Sequence, residues 1–132
     1  MKYTTKKIKL TNDHFVAVTD LAEYTHEIFS DFKNSHFSKK YKKQPFPGQY
    51  LLFIAGGLAE SYEKLFKDIY ALIEIKSVKF LKPALINDEV YLVANLMKTT
   101  EKFYYFDWNV LNQNNEALLF CKVKFLRYSQ QS

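Results

Sequence analysis

The sequence predicts an α+β fold in which a curved antiparallel sheet wraps around one long central helix. Three observations carry that prediction. The segment from Tyr50 to Ala59 shows no polar face for about three turns, the pattern of a helix enclosed by protein on every side. Beyond residue 70 the periodicity changes from helical to alternating, which reads as a series of strands. No crossover helix separates those strands, so their pairing is antiparallel.

Each element follows in chain order. "KIKL" is a short edge strand, and Thr11 is a plausible N-cap for a helix starting near Asn12. Phe15, Val18, Ala22 and Ile28 recur at helical spacing and give that first helix an apolar face. Residues 29–47 are polar and basic, with Asp31, His36 and lysines at 39, 40, 42 and 43, and read as a long loop holding at most a turn or two of helix. Pro47-Gly48 opens the central helix, which turns amphipathic after Glu60 with Leu65 and Ile69 inward. "ALIEIKSVKFLKP" carries Ile73 and Ile75 on one parity and Val78 and Phe80 on the other, so a bulge falls near Ser77. Val90, Leu92, Ala94 and Leu96 alternate in the next strand, "KFYYFDWNVL" is rich in strand-favouring aromatics, and "NQNNE" marks a turn. Leu119, Cys121, Val123 and Phe125 then alternate with lysines. A sheet curved around one buried helix is the hot-dog fold. Gly56 and Gly57 fit it as points where sheet and helix backbones approach closely, since each costs about 1 kcal/mol relative to Ala in a helix.

Composition bounds the function. At 132 residues the chain is one domain, 1–132, and its 48% hydrophobic and 25% charged residues are those of a folded protein. Twelve Phe and ten Tyr fit thick packing, with an apolar binding tunnel as the alternative. A net charge of +5 suits an anionic partner: nucleic acid, a membrane surface, a coenzyme phosphate or an acidic carrier protein. The basic residues are scattered through strands and one loop without a recognition helix, which places nucleic acid last. Cys121 is the single cysteine, so neither an intramolecular disulfide nor a cysteine-based zinc site is expected. "MKYTTKKIKL" leads into no apolar stretch of signal-peptide length, and the longest apolar run falls well short of the roughly 20 residues of a membrane span. The expectation is a cytoplasmic protein with no membrane span.

"PFPGQYLLFIAGGLAE", "VKFLKPALINDEV" and "NVLNQNNEALLFCKVKF" together resemble the MaoC-like hydratase/dehydratase family of hot-dog proteins, over roughly Thr11 to Phe125. Asn87 and Asn115 stand where the family's passages usually carry Gly. The resemblance implies an (R)-specific enoyl-thioester hydratase or 3-hydroxyacyl-thioester dehydratase. No metal and no cofactor is implied, because the acyl group arrives as a coenzyme A or phosphopantetheine thioester. Hydration of an enoyl thioester needs a base for water, an acid for the alpha carbon and donors for the thioester oxygen. The amides of Gly48 and Gln49, at a helix N-terminus, match the donors.

The acid/base pair depends on register. "DFKNSH" gives Asp31 and His36 the family's five-residue separation, at the cost of a gap of about six residues before Gly48 and without the family's Asn-Pro. The gapless register puts the pair on Thr25 and Ser30, with His26, Glu27 and Asp31 as neighbours. A comparison of His36-Phe37 with the entry of FabZ-type dehydratases leaves Phe53 where their helix carries an acid. Structural roles are the alternatives: His36 as a solvated loop histidine, His26 as the end of the first helix, Asp31 as a cap, His14 as structural, Cys121 as a buried apolar residue. Lys39, Lys40, Lys42 and Lys43 fit a soluble loop or contacts to coenzyme phosphates or an acidic acyl carrier protein. A homodimer is implied by the resemblance. The alternative functions are a hot-dog partner subunit or sensor that binds acyl thioesters without hydrating them, and an acyl thioesterase.

Overall fold

The computed structural model describes residues 1–65 and 67–128. Strands β1 (Lys2–Thr4) and β2 (Ile8–Lys9) precede helix α1 (Asn12–Ala22) and a one-turn helix α2 (Glu27–Ser30). Short 3-10 turns at Phe32–Asn34 and His36–Lys39 lead to the central helix α3 (Gly48–Ser61). Strands β3 (Ile69–Phe80), β4 (Glu89–Thr99), β5 (Phe103–Leu111) and β6 (Ala117–Arg127) complete the chain. The sheet runs β1-β4-β5-β6-β3 with every pair antiparallel, and β2 adds to β4. Strand β1 was not foreseen, because three residues are too few to show a period.

Thr11 caps α1 as expected: its hydroxyl accepts from the His14 amide, and His14 Nδ1 accepts in return from the Thr11 amide. His14 is therefore structural. The helix ends at Ala22, where Glu23 turns left-handed at φ 56°, so Ile28 belongs to α2 and not to the α1 face. The chain then enters α3 along an anchored path. Phe46 donates its amide to Ala84 and Ile86 donates to Gln44, and the Phe46 ring packs edge-on to Phe15 and flat on Tyr50.

Helix α3 buries Leu51, Ala55, Leu58 and Ala59 against the strands' inner residues: Val90, Leu92 and Ala94, Phe106, Trp108 and Val110, and Leu119, Cys121, Val123 and Phe125. Each large apolar side chain so buried contributes about 1.5–3 kcal/mol. The expected inward residues of β4 and β6 hold these places, Leu96 being only partly buried. The bulge near Ser77 is present as well, with Ser77 at φ 55° and the β3–β6 register slipping between Lys76 and Lys79. A second slip between Leu72 and Glu74 turns Ile73 outward, so the expected Ile73/Ile75 face is replaced by Leu72 and Ile75. Such bulges increase local twist and bend the sheet.

Three expectations are corrected. α3 stops at Ser61, so Leu65 and Ile69 are buried from the following turn and from β3 rather than from a continued helix. Nor is α3 enclosed on every side. Gln49, Phe53, Gly57 and Glu60, at spacings of four and three, form an open stripe on which Phe53 is 76% exposed. The single sheet covers one side of the helix, and β3, an outer strand of the sheet, leaves the other side open. Finally, Gly56 and Gly57 are not sites of close backbone approach: a Cβ built on either meets nothing within 4 Å.

Candidate functional site

The open stripe of α3 forms one wall of an apolar groove of about 770 Å³. Leu52, Phe53, Gly56 and Gly57 line the helix side, Leu72 and Ile75 of β3 the opposite side, and Trp108 and Phe125 the floor. Polar groups sit near its ends: Gln49 in the first turn of α3, Glu60 and Ser61 in its last, and Lys6 from the β1–β2 connection. From Gln49 to Glu60 the helix rises about 16 Å. Trp108 is the only tryptophan of the chain and is buried in the core that the groove borders. Its indole nitrogen is buried without a hydrogen-bond partner among the described residues.

The groove begins where the helix begins. Pro47, the N-cap of α3, offers no side-chain acceptor, so no capping side chain occupies the first amides. The Tyr24 hydroxyl donates to Gln49 Oε1 at 3.4 Å and ties the segment after α1 to this end. Gly48 has a local packing reason of its own: a Cβ there would meet the Phe80 ring at 3.0 Å. Burial pushes the Tyr50 phenol above its usual range. Burial, with a smaller contribution from Asp107, pushes the Cys121 thiol up to about 11, which leaves it a protonated core group opposite Trp108.

The other candidates lie upstream. His36 Nδ1 is 3.1 Å from Glu27 Oε1, both side chains largely in solvent, and the His36 ring lies against Phe37. His26 also reaches Phe37 and is the N-cap of α2, where its Nδ1 accepts from the Ile28 amide, so it begins a helix instead of ending one. Asp31 sits elsewhere. Its Oδ1 accepts from Asn34 Nδ2, and it lines a separate polar depression with Ser30, Lys42 and Lys43. The Ser30 hydroxyl donates to the Thr25 and His26 carbonyls. Thus Glu27, His26 and His36 form one exposed cluster, while among the described residues Asp31 and His36 share no hydrogen bond, and His36 lines neither the groove nor the depression. Lys39 and Lys40 line neither cavity, and Lys40 Nζ lies over the Tyr41 ring.

Sequence reasoning missed Phe53, Leu72, Ile75 and Trp108 as groove residues. Each is an apolar residue in an apolar run, and nothing in such a run marks which side will lack a neighbour.

No protein-family model and no curated protein matches the sequence. Solved structures do. The monoamine oxidase regulatory protein of Archaeoglobus superposes with a TM-score of 0.80 at 22% identity, over 98% of this chain and 90% of its own. The (R)-hydratase PhaJ1 of Pseudomonas aeruginosa does so at 0.80 and 10% identity, over 98% and 81%. The HadBC 3R-hydroxyacyl-ACP dehydratase complex of Mycobacterium tuberculosis gives 0.77 at 11%, over 96% and 94%. Likeness at such identities reaches the backbone and not the chemistry, and it agrees with the sheet order and the helix laid across it: this chain has the hot-dog fold.

Proposed function

We propose that the protein binds acyl thioesters and acts on them as an enoyl-thioester hydratase or 3-hydroxyacyl-thioester dehydratase. One observation carries the reading: the apolar groove starts at the uncapped N-terminus of α3. An acyl chain lying along the open stripe places its thioester carbonyl at the amides of Gly48 and Gln49, where the helix dipole favours developing negative charge. The groove is apolar with a few polar groups at its ends, the composition of small-molecule sites. The contact with Glu27 supports His36 as the acid/base candidate, because a carboxylate beside the imidazole can hold its orientation.

Partners follow from the same feature. Strand β3 lines the groove with Leu72 and Ile75 and is also an outer strand of the sheet, so a second copy paired along β3 closes the groove's open side. No cofactor enters this reading. Among the described residues no helix is long and apolar enough to cross a membrane.

The test has two readouts. Quenching or a shift of the single tryptophan's fluorescence reports groove occupancy by an acyl thioester. Hydration of a short and a medium enoyl thioester reports chemistry, with an expected loss of roughly 10²–10⁴-fold in His36→Ala and little change in His26→Ala. Fluorescence change without turnover in the unmodified protein identifies a binding subunit or sensor. No fluorescence change with any thioester overturns the reading.

A further inference from the structure

The depression that holds Asp31 is chemically unlike the groove. It measures about 510 Å³ and is lined by Lys33, Lys42 and Lys43 against one carboxylate, Asp31. That carboxylate already accepts from Asn34. Among the described residues none of the three lysines is in an ion pair, whereas Lys82 and Lys122 elsewhere are matched to Glu116 and Asp107. The cavity therefore carries three lysines against one carboxylate, a net positive lining. Its floor is aromatic: Phe15 is buried, and Phe29 and Phe32 are partly so. Asn12 and Asn34 add carboxamides at the wall.

We infer that this depression binds a phosphorylated purine or pyrimidine nucleotide, the phosphates on Lys33, Lys42 and Lys43 and the base against the phenylalanine floor. Ammonium groups meet phosphate as point charges, aromatic rings offer flat apolar contact to a base, and carboxamides can both donate to and accept from its edge. A concave cavity of this volume fits a small molecule, whereas an acidic protein helix calls for a broader basic surface. Gln44, which lines the depression, precedes Gly48 by four residues, so the two Cα atoms are at most about 14 Å apart. A ligand anchored by its phosphates here can extend a flexible arm to the start of α3. Resting on the acyl-thioester reading, this names the carrier: coenzyme A, with its adenosine 3′,5′-bisphosphate end, in preference to a carrier protein.

The probe is adenosine 3′,5′-bisphosphate titrated calorimetrically into the full chain. Binding is expected to weaken roughly two- to fivefold in Lys33→Ala, Lys42→Ala or Lys43→Ala, about tenfold or more in the Lys42→Ala/Lys43→Ala double variant, and with added salt. Lys39→Ala and Lys40→Ala serve as controls and leave it unchanged. No binding, or binding indifferent to Lys42 and Lys43, overturns the inference. Equal binding of inorganic phosphate reduces the site to an anion site and also overturns it, as does a carrier-protein thioester that binds more tightly than the coenzyme A thioester. Acyl-pantetheine thioesters, which lack the nucleotide, test the groove separately through Trp108 fluorescence, so failure of one reading is distinguishable from failure of the other.

Discussion

Glycine inside a helix is a cost that has to be met somewhere. At Gly56 and Gly57 nothing packs on the missing side chains, so the reason is space in the groove and not contact with the sheet. Replacing either with Ala should therefore stabilise the isolated protein by about 0.5–1 kcal/mol, a rise in Tm of roughly 2–6 °C. The same methyl groups narrow the groove and should weaken acyl-thioester binding. Thermal unfolding and fluorescence titration of Gly56→Ala and Gly57→Ala check both signs, and a loss of stability would show that these positions pack against something after all. Asn87 and Asn115, standing where the resembling family carries Gly, lie at φ 70° and 60°, the left-handed region that asparagine tolerates better than other non-glycine residues.

Elements were legible where many residues vote together. The β4 and β6 alternation and the slip at Ser77 each rest on several positions agreeing in phase, and the α3 start rests on Pro47-Gly48 ahead of a long apolar run. The α3 end was not legible, because Leu65 and Ile69 keep helical spacing while their burial comes from a turn and a strand. Strand β3 carries its own prediction. Antiparallel self-pairing centred on Ile75 sets Glu74 of each copy opposite Lys76 of the other, two opposite-charge pairs across the axis. Glu74→Lys should weaken the dimer about tenfold or more by facing like charges, and the Glu74→Lys/Lys76→Glu double variant should restore it. Sedimentation equilibrium measures both; an unmodified chain that stays monomeric, or a double variant no better than the single, counts against this register.

For the whole molecule, stability should depend on pH through its buried thiol. Cys121 is fully buried and its folded pKa, about 11, lies above the ordinary value of 9.0. A raised acid pKa means the unfolded chain loses its proton first. The thiol's contribution is therefore fully present below pH 9 and is lost as pH rises through about 11. Denaturant midpoints measured between pH 8 and 11 should fall for the native protein and fall less for Cys121→Ala, whose lower starting stability reflects the lost packing. Equal slopes would place the alkaline loss in other groups.

The sequence by itself determined the class of fold, the capped start of α1, the Pro47-Gly48 entry to α3 and the inner faces of β4 and β6, because local phase and turn chemistry act over neighbouring residues. It also offered Asp31 and His36 as an acid/base pair, with His26 and Glu27 as the alternative. Only the tertiary structure decided that His36 meets Glu27 while Asp31 faces lysines, that one side of α3 is open, and that Gly56 and Gly57 line that opening. Those outcomes depend on where the sheet ends and on which loops fold back on one another. Such facts arise between residues far apart in the chain, and no local pattern encodes them.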